Sequence, residues 1–92
     1  MRNMGRRNDI DICHDILKVT QAGAKKTQIV YQANLNFKIV KKYIARLIEK
    51  GLLEYNEDSR LYFTTHRGGW FVEQYSDLVE PIKEDWQQAP AS

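Results

Sequence analysis

Lys26-Thr27-Gln28-Ile29-Val30-Tyr31-Gln32-Ala33-Asn34-Leu35-Asn36-Phe37 is the stretch on which the reading of the whole chain turns. Residues 27 to 33 fit a short helix, with Thr27 as its cap and Ile29, Val30 and Ala33 on its inner side. Asn34-Leu35-Asn36 then makes a tight turn, because Asn bonds its own backbone and tolerates the left-handed conformation. Asn36 caps the helix that follows. In that helix Val40, Tyr43, Ile44, Leu47 and Ile48 recur at the spacing of a single apolar stripe. Lys38, Lys41, Lys42, Ala45, Arg46 and Glu49 occupy the opposite arc. Lys50 in the last turn and Gly51 beyond it supply the ending.

Downstream the period changes from helix to strand. Leu53-Glu54-Tyr55, a polar turn over residues 56 to 60, and Leu61-Tyr62-Phe63 predict a β-hairpin with a charged tip. Thr64 or Thr65 caps a last helix starting near His66. Gly68, one turn into it, is read as close packing against a neighbour and not as a phosphate loop. Upstream, Asn8 caps a helix with Asp9 and Asp11 in its first turn, where the helix dipole favours acids. Ile10, Cys13, Ile16, Leu17 and Thr20 follow at helical spacing, and Gly23 closes the segment.

Helix, helix, tight turn, helix, hairpin, helix is the order of a winged helix-turn-helix, an α+β and mostly helical fold. The 26–37 run, with Tyr43-Ile44, Leu47 and Gly51-Leu52-Leu53 after it and Thr65, Gly68 and Phe71 beyond, resembles small archaeal winged-helix DNA-binding proteins of the ten-kilodalton chromatin or transcription-regulator type. The resemblance covers roughly residues 9 to 80. It implies double-stranded DNA as partner and a homodimer built on a long C-terminal helix paired with its mate. Pro81 departs from that pattern, since it cannot donate to the carbonyl of Asp77 and so predicts a kink or an early end.

The expected division is a flexible basic arm over 1–7, a winged domain over 8–65, a dimerisation helix over 66–87 kinked near Pro81, and a flexible tail over 88–92. In the arm, Arg2, Arg6 and Arg7 are expected to add phosphate contacts. The chain has 92 residues and 10.8 kDa, enough for one domain, with 42% hydrophobic and 28% charged residues, ordinary values for a globular protein. No apolar run approaches the ~20 residues of a membrane span. The basic start lacks the apolar stretch of a secretory signal. Cys13 is the sole cysteine, so no internal disulfide is expected and a reducing, cytoplasmic and nucleoid-associated setting fits.

Charge divides the chain. Residues 1–50 hold eleven Lys or Arg against four acids, a net +7, while residues 51–92 hold three against eight, a net −5. The basic half carries most of the candidate DNA contacts, Lys25, Lys26, Thr27, Gln28, Asn36, Lys38, Lys41, Lys42 and Arg46, and Arg60 at the hairpin tip joins them. Of these, Lys38, Lys41 and Lys42 are expected at the major groove, and Lys25, Lys26, Arg46 and Arg60 at the backbone. The acidic half carries the candidate dimer row, Phe71, Tyr75, Leu78, Val79, Ile82 and Trp86, an apolar arc wider than a coiled-coil seam. Phe71, Val72 and Tyr75 can equally pack on their own domain, which leaves Leu78, Val79, Ile82 and Trp86 to overhang.

Catalysis is not expected. His14 and His66 are the only histidines, Cys13 points about 100° from His14 on a helix, and no nucleophile elbow, metalloprotease motif or phosphate loop occurs. Cys13 reads as a buried core residue, and neither cofactor, metal nor small-molecule substrate is expected. The reading is therefore a dimeric DNA-binding transcription regulator. Its alternatives are a chromatin-associated protein with little sequence preference and a winged-helix module that binds protein. An apolar or acidic third-helix face would favour the module, and this face is basic.

Overall fold

The computed structural model describes residues 7–82. The elements run α1 (Asp9–Val19), α2 (Lys26–Ala33), α3 (Phe37–Glu49), β1 (Leu53–Asn56), β2 (Leu61–Thr64) and α4 (His66–Gln74). Past Gln74 the chain passes into a π-helical turn, Tyr75–Val79, and remains helical to Ile82. The fold is α+β and mostly helical, as the sequence predicts.

Local chemistry sets most of the boundaries. Asn8 and Asp11 form a reciprocal cap on α1, the Asp11 amide donating to Asn8 Oδ1 at 2.9 Å and the Asn8 amide to Asp11 Oδ2 at 3.1 Å. Asn36 Oδ1 accepts from the Ile39 amide at 2.8 Å and starts α3. Thr65 starts α4, its hydroxyl oxygen accepting from the Gly68 amide at 3.1 Å. Gly51, at φ 77°, takes the left-handed position that ends α3.

One cap differs from expectation. Thr27 does not cap α2; the helix begins a residue earlier, with Lys25 at the cap and Thr27 exposed inside the first turn. The cause lies outside the helix. Ala24 is bridged to Tyr62, with backbone bonds of 3.0 and 2.8 Å, so the wing holds the chain extended up to the residue before Lys25. Gln28 Oε1 then accepts from the Lys25 amide at 3.3 Å.

The hairpin pairs Leu53 with Thr64, Glu54 with Phe63, Tyr55 with Tyr62 and Asn56 with Leu61. Asn56 Oδ1 accepts from the Ser59 amide at 2.8 Å, which closes the tip. The core is built from Ile16, Leu17, Ala24, Ile29, Val40, Tyr43, Ile44, Leu47, Leu53 and Val72. Three expected core positions are corrected. Ile10 and Ile48 are exposed: Ile10 lies in the first turn of α1, where Asp11 takes the inward position, and Ile48 lies on the rim of its stripe near the helix end. Cys13 packs against the core but is only partly buried.

α1 is the central element and touches α2, α3, α4 and β2. Because α4 covers it, Asp11 and His14 are buried. The Tyr75 hydroxyl donates to the Asp11 carboxylate, and the Tyr75 ring stacks on His14 with centroids 3.9 Å apart. Gly68 allows α4 to approach this closely: a Cβ there would stand 2.2 Å from the Leu52 carbonyl oxygen.

Candidate nucleic-acid interface

The turn between α2 and α3 is fixed from both sides. Asn34 adopts φ 56°, ψ 53°, and the Leu35 amide donates to the Val30 carbonyl at 3.1 Å. Leu35 and Ile39 then pack against the core. Val40, Tyr43, Ile44 and Leu47 bury the inner stripe of α3, so the opposite face is left to solvent. Lys38, Lys41, Lys42, Arg46 and Glu49 are all exposed on α3. Three lysines on one helix face, held by a buried stripe on the other, form a fixed cationic surface.

The remaining candidates surround this helix at different places. Lys25, Thr27 and Gln28 are exposed in the first turn of α2, and Lys26 is half-buried. They lie at the far end of α2 from Asn36, about 12 Å away along an eight-residue helix. The side-chain oxygens of Asn36 and Gln28 already accept backbone bonds, so each presents its NH2 group as a donor outward. Arg46 sits on the flank of α3 that faces α1, near enough to the Cys13 thiol and the Tyr43 hydroxyl to oppose their upward pKa shifts. Arg60 is exposed at the end of the wing turn with φ 63°.

Among the described residues, the shifted groups are all pushed up. Burial, then the charge of Asp9, pushes the Cys13 thiol up and keeps it protonated. The hydrogen bond to Asp9 raises the Tyr43 hydroxyl, and burial followed by the Asp11 hydrogen bond raises Tyr75 further.

Of the expected dimer row, Leu78 and Ile82 are exposed by 59% and 64%, Val79 is half-buried, and Phe71 packs partly on its own core. Tyr75 is buried against α1, where its hydroxyl and ring are engaged. Trp86 lies outside the described residues. The arm is corrected at one end. Arg7 is packed, its Nη1 donating to Asp15 Oδ2 at 2.9 Å and to the Ala33 carbonyl at 2.6 Å, and its Nη2 to the Asn34 carbonyl at 2.9 Å. Arg2 and Arg6 lie outside the described residues. Two side chains of the 26–37 run to which the sequence assigns no contact also stand at the surface here: Tyr31 on α2 and Phe37 at the start of α3.

Solved structures share this fold, two of them DNA-binding proteins by name. Sso10a-2, a DNA-binding protein from Sulfolobus solfataricus, superposes with a TM-score of 0.76 at 22% identity, over 88% of this chain and 87% of its own. BpsR of Bordetella bronchiseptica, whose DNA binding is regulated by 6-hydroxynicotinic acid, superposes with a TM-score of 0.75 at 21% identity. That alignment covers 85% of this chain and 61% of BpsR. At these identities the likeness is one of fold. No curated protein matches the chain by sequence. The family model for the winged helix-turn-helix matches residues 6–83, which takes in all of the described residues, and so the chain belongs to the winged helix-turn-helix family.

Proposed function

We propose that the protein binds double-stranded DNA through α3 and regulates transcription as a homodimer joined by its C-terminal helix. The observation that carries this reading is the exposed set Lys38, Lys41 and Lys42 on the solvent face of the helix that follows the tight turn. In a helix-turn-helix that helix enters the major groove, and the helix before it crosses the backbone. Lys25 and Lys26 at the start of α2, Arg46 on the flank and Arg60 on the wing then meet phosphates. Thr27, Gln28 and Asn36 add polar contacts. The naming of Sso10a-2 as a DNA-binding protein, and of BpsR by its regulated DNA binding, supports the same reading. Such a protein works at the chromosome, in the cytoplasm.

The test is a fluorescence-anisotropy titration of a random-sequence duplex at two salt concentrations, with the wild type and the double variant Lys41→Glu, Lys42→Glu. Each phosphate contact removed lowers the slope of log affinity against log salt by about 0.9. The variant therefore binds much more weakly at moderate salt and with a flatter salt dependence. Equal affinities for wild type and variant, with the fold intact by circular dichroism, contradict the reading.

A further inference from the structure

Phe37 and Tyr31 are exposed by 54% and 86%, and neither belongs to the core or to the partly buried residues around it. The turn is anchored by Leu35 and Ile39 on either side of Phe37. The Phe37 ring therefore contributes little to folding. Phe37 is the first residue of α3. Side chains on a helix lean toward its N-terminus, so the side chain at the first position covers the leading tip of the helix and not its flank. That tip is the end by which such a helix enters the major groove. Lys38 follows at once and Lys41 one turn on, both exposed, so a polyanion is drawn to the same place.

The major groove offers one apolar group for a ring to meet, the C5 methyl of thymine. We propose that Phe37 is a specificity-determining residue that packs on thymine methyls and biases the protein toward A·T pairs at the tip of α3. The proposal rests on α3 being the helix that reads DNA. Tyr31 lies on α2, the helix that crosses the backbone, and its contacts carry no methyl preference.

Two alternating duplexes test this, one of adenine and thymine and one of adenine and uracil, which differ in the thymine methyl. The wild type is expected to bind the thymine duplex about fourfold more tightly, the worth of one buried methyl. Phe37→Ala binds both equally, at an unchanged melting temperature. Tyr31→Ala weakens both by one common factor and keeps their ratio. Equal wild-type affinities, or a Phe37→Ala protein that retains the preference, overturn the role of Phe37 and leave DNA binding by α3 standing. A wild type that binds neither duplex overturns both.

Discussion

At the residue scale, side chains with more than one neighbour decide the most. Arg7 ties the start of α1 to the last carbonyls of α2 and to Asp15. A guanidinium suits this better than an ammonium, because its fixed fork serves several acceptors together. Arg7→Ala is expected to cost about 1–2 kcal/mol, since the pair is partly solvated, and to leave the salt slope of DNA binding unchanged. Urea melts and salt titrations of the same variant check this; a flatter salt slope at unchanged stability would show Arg7 to be a phosphate contact instead. The tyrosines give a pH signature. Tyr75 and Tyr43 both have hydroxyl pKa values raised above the ordinary 10 in the folded chain. Once the unfolded chain loses these protons, above about pH 10, the folded chain still holds them, so stability is fully present below that pH and falls as pH rises further. Urea midpoints from pH 9 to 11 should fall, and Tyr75→Phe should fall less steeply. A flat midpoint for the wild type would contradict the buried arrangement. Neither Asp11 nor His14 announces its burial in the sequence, because both are polar and the residue that engages them, Tyr75 in the π-helical turn, lies far along the chain.

Among the elements, what is set locally was legible. The stripe of α3, the caps at Asn8, Asn36 and Thr65, and the hairpin all follow from residues close together in sequence. What is set at a distance was not. The start of α2 depends on the Ala24–Tyr62 bridge, and the exposure of Ile48 on where α3 leaves the core. Of the candidate interface, the lysine face of α3 could be read from periodicity, whereas the partners of Tyr75, Asp11 and His14, could not, since periodicity does not say which neighbour covers a stripe. Gly68 was legible as a contact point, and its effect can be measured. Thr65 donates its hydroxyl to the Gly51 carbonyl at 2.7 Å and its amide to the Leu52 carbonyl at 3.1 Å, so α4 cannot easily back away. Gly68→Ala forces its methyl onto the Leu52 carbonyl and is expected to destabilise by about 1–3 kcal/mol. Gly69→Ala, with open space around it, should not. Comparable melting temperatures for the two variants would show that α4 does not depend on this close approach.

For the molecule as a whole, the division of charge acquires a geometry. The lysines of α3 lie on one surface, while Glu73 and Asp77 are exposed on the C-terminal helical segment beside Leu78 and Ile82. In that segment the Glu80 amide donates to the Tyr75 carbonyl, five residues back, and this wider π turn comes just before Pro81, which has no amide hydrogen to give. If this segment pairs with a second copy, the exposed Leu78 and Ile82 are the residues that meet it, and acid around them keeps DNA away from the joint. Sedimentation at micromolar concentration should show a dimer that Leu78→Asp with Ile82→Asp dissociates; a wild-type monomer would contradict the pairing. The claim on which all of this rests is that DNA meets the lysine face of α3. Amide chemical shifts of the labelled protein, followed as a short random-sequence duplex is added, test it most directly. The predicted shifts concentrate in residues 25–28, 36–46 and near 60 and leave residues 70–82 undisturbed. Shifts confined to the C-terminal helix, or none at all, would contradict it.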